Sequence, residues 1–151
     1  MDAMLDEFNV LMIGNNPLEL SKVFDHLKMI SGKKVITEIA FDLKSGLERL
    51  SNFSPNYIII DDNVGRVELA HVVGYFSRIK KTKKIPITVL KNSNYLETFG
   101  GAMNYVLKES LNGEVLYSAL KNSLMSSRAQ KYLQKVYGQR KKKLLRFLTP
   151  S

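Results

Sequence analysis

Apolar residues in this chain come in short runs separated by amphipathic stretches. The run Phe8 to Ile13 has strand length, and Asn16-Pro17 then opens a helix to about Ile30, with Leu20, Val23, Phe24, Leu27 and Ile30 at helical spacing. Ser31-Gly32 stops it. Lys34 to Ala40 alternates as a strand, Asp42 to Leu50 suits a helix, and Ser51 to Asn56 is a loop. Tyr57 to Ile60 is a continuous apolar strand, followed by a helix over about Val67 to Lys80 and a basic turn, Lys80-Lys81-Thr82-Lys83-Lys84. Ile85 to Leu90 is the fourth strand, with proline tolerated at its start. Asn94 to Phe99 makes a short helix ended by Gly100-Gly101, Tyr105 to Leu107 is the fifth strand, and a last helix begins near Leu111. Strict βα alternation of this kind predicts an α/β fold, a parallel doubly wound sheet with helices on both faces.

Composition narrows the picture. With 151 residues, 44% of them hydrophobic, the chain suits one domain with its own core and a modest extension. The absence of cysteine excludes disulfides, a thiol nucleophile and cysteine metal ligands. No apolar run reaches the ~20 residues of a membrane span, and the acidic start Met1 to Glu7 does not read as a signal peptide, so a cytoplasmic location is expected. The net charge of +9 is unevenly spread. Ser126 to Ser151 holds eight of the 23 basic residues and none of the 14 acidic ones, leaving 15 basic against 14 acidic residues in the rest. A nearly neutral domain over about 6–125 thus precedes a basic, helical extension over 126–151.

The residue with most chemical promise is Asp61. It ends the third strand, and carboxyl ends of strands are where open α/β sheets place their chemistry. Lys108 follows the fifth strand and could reach it. The first strand, by contrast, ends in Gly14-Asn15-Asn16, with no acid. Asp62 fits better than Asp61 as an ordinary loop or helix-capping carboxylate. His26 and His71 have no partner at metal-ligand spacing, Gly100-Gly101 is no phosphate loop, and no Ser/His/Asp set has sequence support. An enzyme is not expected.

Over roughly residues 6–125 the chain resembles the receiver domain of two-component response regulators. The resemblance rests on Pro55-Asn56-Tyr57-Ile58-Ile59-Ile60-Asp61, on Ile85-Pro86 opening the fourth strand, and on Gly101-Ala102-Met103-Asn104-Tyr105-Val106-Leu107-Lys108. It implies a flavodoxin-like sheet of five strands in the order 2-1-3-4-5. It also implies roles for particular residues. Asp61 would stand at the phosphoacceptor position, Lys108 would be the phosphate-site lysine, and Tyr105 the aromatic that reports the switched state.

Three features depart from the family's pattern. Its Mg²⁺-binding acidic pair falls on Gly14 and Asn15, a poor offering to a hard cation that wants carboxylate oxygen. Its phosphate-binding Ser or Thr is replaced by Lys91, and the residue after its lysine, usually proline, is Glu109. No metal or other cofactor is therefore expected, and Asp61 is expected to pair with one or both of Lys91 and Lys108.

The resulting expectation is a degenerate receiver, a signalling adaptor that works by binding proteins, with Mg²⁺-dependent phosphorylation lost or weak. Partners would be a histidine kinase or an output protein. A second copy would dock through the fourth helix, fifth strand and fifth helix, continued by Tyr132 to Tyr137 of the extension. Two alternatives stay open: a working receiver phosphorylated on Asp61 with Mg²⁺, and a nucleic-acid or membrane-surface binder acting through the basic tail.

Overall fold

The structure, a computed structural model, describes residues 7–29, 34–93, 100 and 104–122. Five strands form one parallel sheet in the order β2-β1-β3-β4-β5. They are β1 (Glu7–Ile13), β2 (Lys34–Ala40), β3 (Tyr57–Asp61), β4 (Ile87–Lys91) and β5 (Asn104–Leu107). The helices are α1 (Pro17–Lys28), α2 (Leu43–Arg49), α3 (Arg66–Phe76) and a further helix over 113–122. This is the flavodoxin-like architecture and strand order expected.

The central strands carry no polar face because the sheet is covered on both sides. Alternation along each strand sorts the side chains into two cores. Phe8, Val10 and Met12 of β1, Tyr57 and Ile59 of β3, Leu90 and Val106 pack against α1 and the helix at 113–122. Leu11, Ile13, Ile58, Ile60, Ile87 and Val89 pack against α3, with Gly46 of α2 beside them. Position 46 must be small, since a Cβ there would lie 3.2 Å from Phe76 Cζ and 3.4 Å from Ile13 Cδ1. In the first core the Tyr57 hydroxyl meets Thr88 Oγ1, and burial pushes the phenol well above its ordinary range.

Local signals set the helix ends. Asn16 caps α1 through its side chain, which accepts from the backbone N–H groups of Leu18 and Glu19, with Pro17 in the first turn. Asp42 and Ser45 form a capping box on α2, and the Ser45 bonds hold the Asp42 carboxyl below its ordinary range. Asn112 accepts from Val115 N at the start of the helix over 113–122.

Several boundaries differ from expectation by a residue or more, and at two elements the shift has a physical reason. The third helix stops at Phe76, not near Lys80, where Thr82 Oγ1 takes the carbonyl of Phe76 (2.6 Å); Ser77 Oγ adds a bond to Val73 O (2.6 Å), which keeps its helical bond from Ser77 N. The fourth strand enters the ladder at Ile87 and runs one residue further, to Lys91. Pro86 has no N–H to donate, though its carbonyl accepts from Ile58 N at 3.0 Å. The expected helix at Asn94–Phe99 and the extension over 126–151 lie outside the described residues. Among the described residues no helix is long and apolar enough to cross a membrane.

Candidate functional site

Register brings the carboxyl ends of the inner strands level. Ile13 pairs with Ile60, Asp61 with Leu90, and Lys91 with Leu107. Gly14, Asp61, Asn92 and Lys108 therefore gather where β1, β3, β4 and β5 end. Alternation then decides which of them meet. Asp61 follows Tyr57 and Ile59, Asn92 follows Leu90, and Lys108 follows Val106, all on the α1 side of the sheet. Lys91 follows Ile87 and Val89 on the other side, where Tyr105 also lies.

The contacts obey that sorting. Lys108 Nζ lies 2.5 Å from Asp61 Oδ1, with the two side chains 12% and 2% exposed. Lys91, also buried, does not join this pair. Its ammonium lies over the Tyr105 ring, 5.3 Å from the centroid. Of the two lysines expected near Asp61, only Lys108 pairs with it, because Lys91 leaves the sheet on the opposite face.

Asp61 does a second job. Its Oδ1 accepts from Asn63 N at 2.8 Å, capping the single 3-10 turn Asp62–Val64 that follows β3. The capping role expected of Asp62 thus belongs to Asp61. Asp62 instead turns inward, to 3.4 Å from Lys108 Nζ. Asn92 closes the cluster. Its backbone N–H donates to Asp62 Oδ2 (2.9 Å), and its amide donates to Asp62 Oδ1 (2.7 Å) and Asn63 Oδ1 (2.8 Å). Lys108 Nζ donates to Asn92 Oδ1 at 2.9 Å. One lysine thus ties together the β3, β4 and β5 ends. Sequence reading missed Asp62, Asn63 and Asn92 as members of the site. Alternation carried one residue past Lys91 would have put Asn92 on the Asp61 face.

Gly14 forms the wall opposite. Its N–H continues the ladder to Ala40 O (3.0 Å), and a Cβ there would lie 3.1 Å from Asp61 Cβ and 2.8 Å from Leu20 Cδ2. Position 14 is filled by its neighbours, leaving little room for a side chain. Asp61 Oδ2 is buried with no hydrogen-bond partner among the described residues. Neither histidine stands here. His71 is exposed on α3, and His26 sits in the last turn of α1. Among the described residues no three His, Asp or Glu are grouped to share a metal ion.

No protein-family model and no curated protein matches the chain. Solved structures do. The chain is similar to a chemotaxis response regulator of Vibrio cholerae, at 20% identity and a TM-score of 0.62 over 78% of this chain and 98% of that one. It is similar to the signal receiver domain of an HD-domain protein from Pseudomonas fluorescens, at 14% identity and a TM-score of 0.67 over 82% and 98%. A third likeness is to the receiver domain of a Pseudomonas aeruginosa sensor histidine kinase, whose structure holds a magnesium ion in its active-site cleft. That match has 14% identity and a TM-score of 0.63 over 77% and 96%. Strand order, two-sided core and overall superposition agree: the chain has the receiver-domain fold.

Proposed function

We propose that this protein is a signalling adaptor of the receiver fold that works by binding other proteins, and that its aspartate site is held by a lysine in place of a metal. The observation that carries this reading is the 2.5 Å pair of Lys108 Nζ with buried Asp61 Oδ1.

The donor set does not fit Mg²⁺. That ion wants several oxygen donors in near-octahedral geometry, normally including carboxylates. Among the described residues, the carboxylates that meet Lys108 at this end of the sheet are those of Asp61 and Asp62. Asp61 Oδ1 already carries Lys108 and the Asn63 N–H, and both Asp62 oxygens carry Asn92. Gly14 and Asn15 add no charge. The ammonium meets the aspartate with a single positive charge and closes the network through Asn92. In this reading the site is fixed in one arrangement, and the protein is recognised through its surface by a histidine kinase or an output protein.

The rival reading, phosphorylation of Asp61 by a histidine kinase with Mg²⁺, is favoured by one feature. Asp61 Oδ2 has no partner among the described residues. A Mg²⁺ titration followed through the backbone amide resonances of Asn15, Asp62 and Asn63 separates the two. The adaptor reading expects no saturable shift at millimolar Mg²⁺. A saturable shift at all three positions that disappears in Asp61→Asn would overturn it.

A further inference from the structure

At the opposite end of the sheet the chain makes a second charged feature. Between Glu68 and Glu97 there is no Asp or Glu, yet Arg78, Lys80, Lys81, Lys83 and Lys84 fall within seven consecutive residues. They sit on an ordered turn. Thr82, fully buried, anchors it by donating from Oγ1 to Phe76 O (2.6 Å), and its backbone bonds to Ile79 O (3.2 Å) and from Ile85 N (2.9 Å). Lys83 N also donates to Ile79 O at 2.9 Å. Lys81 is used internally, its ammonium donating to Leu50 O at the end of α2. The other four cations are exposed and form no ion pair among the described residues.

A solvated loop of lysines is common. This one differs in being anchored by a buried threonine while its like charges fall in one stretch that holds no carboxylate. Mutual repulsion of such charges disfavours the folded turn unless an anion offsets it. The turn precedes β4, so it lies at the amino end of the sheet, roughly 13 Å of strand from the Lys91 end at ~3.3 Å per residue. Occupying it leaves the Asp61 cluster open.

We propose that Arg78, Lys80, Lys83 and Lys84 form a site for the phosphodiester backbone of a nucleic acid, bound without reading base sequence. An array of cations matches a polymer of regularly spaced phosphates. The turn presents no free helix to enter a groove, so phosphate contacts are all it can make. A membrane surface fits less well. The apolar residues flanking the turn, Ile79 and Ile85, are packed against the core and offer nothing to insert.

The test uses the full chain with a short labelled duplex of mixed sequence, titrated by fluorescence anisotropy across a salt series. An Arg78→Gln/Lys80→Gln/Lys83→Gln/Lys84→Gln variant runs beside it, and Lys83→Gln/Lys84→Gln guards against misfolding of the quadruple variant. Each phosphate neutralised contributes about −0.9 to the slope of log affinity against log salt, so four contribute about −3.6. Per doubling of salt, the wild type is therefore expected to lose about twelvefold more affinity than the quadruple variant, and the double variant should fall midway. Three results would overturn the proposal. One is no binding by the wild type, and another is unchanged affinity and slope in both variants. The third is capture of the chain by phosphatidylserine-containing vesicles, dependent on these four residues, with no capture by the duplex.

Discussion

Replacing Lys108 by methionine keeps an unbranched stem as far as Cε and removes the ammonium and its charge. What that exposes can be worked from the contacts. Asp61, 2% exposed, would keep one hydrogen bond to Oδ1, from Asn63 N at 2.8 Å, and none to Oδ2 among the described residues. Breaking a buried ion pair by removing one partner costs about 3–5 kcal/mol, because the remaining charge is stranded. Lys108 is still 12% exposed and Asp61 retains its capping bond, so the lower end, about 3 kcal/mol, applies here. With an m-value of about 2 kcal/mol per molar urea, the unfolding midpoint should fall by about 1.5 M at unchanged slope. Asp61→Asn removes the stranded charge while the amide oxygen can still accept from Asn63 N. The double variant Asp61→Asn/Lys108→Met should therefore be more stable than the sum of the single effects by about 2 kcal/mol. Urea unfolding followed by circular dichroism on all four proteins completes the cycle. Additive effects, or a Lys108→Met change under about 0.5 kcal/mol, would refute the pairing as a structural force.

Other positions give sharper local tests. Gly14→Ala should cost about 1 kcal/mol or more, against the ~0.4–1 kcal/mol gain usual where the site can accept alanine, because the new Cβ meets Leu20 Cδ2 at 2.8 Å; urea midpoints decide the sign. Asn92→Ala deletes the side-chain bonds to Asp62, Asn63 and Lys108 and should lower stability by about 1–2 kcal/mol, read by thermal melting. Tyr57 gives a pH signature. Its folded pKa is raised by burial above the ordinary value of 10.0, so its contribution is fully present below pH 10 and shrinks as pH rises above it. Tyr57→Phe should therefore show a shallower alkaline loss of stability than the wild type. It should also lose about 1–3 kcal/mol at neutral pH by orphaning the buried Thr88 hydroxyl.

Much of the fold was legible because the strands of a doubly wound sheet read as apolar runs whichever face a residue takes. Tyr57 to Ile60 could scarcely be anything else, and the caps at Asn16 and Asp42 follow from side-chain chemistry confined to one turn. The misplaced end of α3 has a longer-range cause. Lys80 continues a helical pattern, but Thr82 reaches back six residues to Phe76 O, a bond no periodicity reveals. The site divides in the same way. Asp61 and Lys108 stand out because each directly follows an apolar run. Asp62, Asn63 and Asn92 are ordinary polar loop residues until register bridges a sequence separation of 29 or 30 and brings Asn92 onto the β3 turn. Lys91 shows the limit of position without orientation. It ends β4 beside Asp61, and a one-residue change of face sends its charge to Tyr105.

If Lys108 takes the place a metal would need at Asp61, as proposed, Asp61 does not accept a phosphoryl group. Intact mass after incubation with a small-molecule phosphodonor, with and without Mg²⁺ and beside an Asp61→Ala control, tests this most directly. The mass of the folded protein should stay unchanged under every condition. A phosphoryl increment that requires both Mg²⁺ and Asp61 would contradict it.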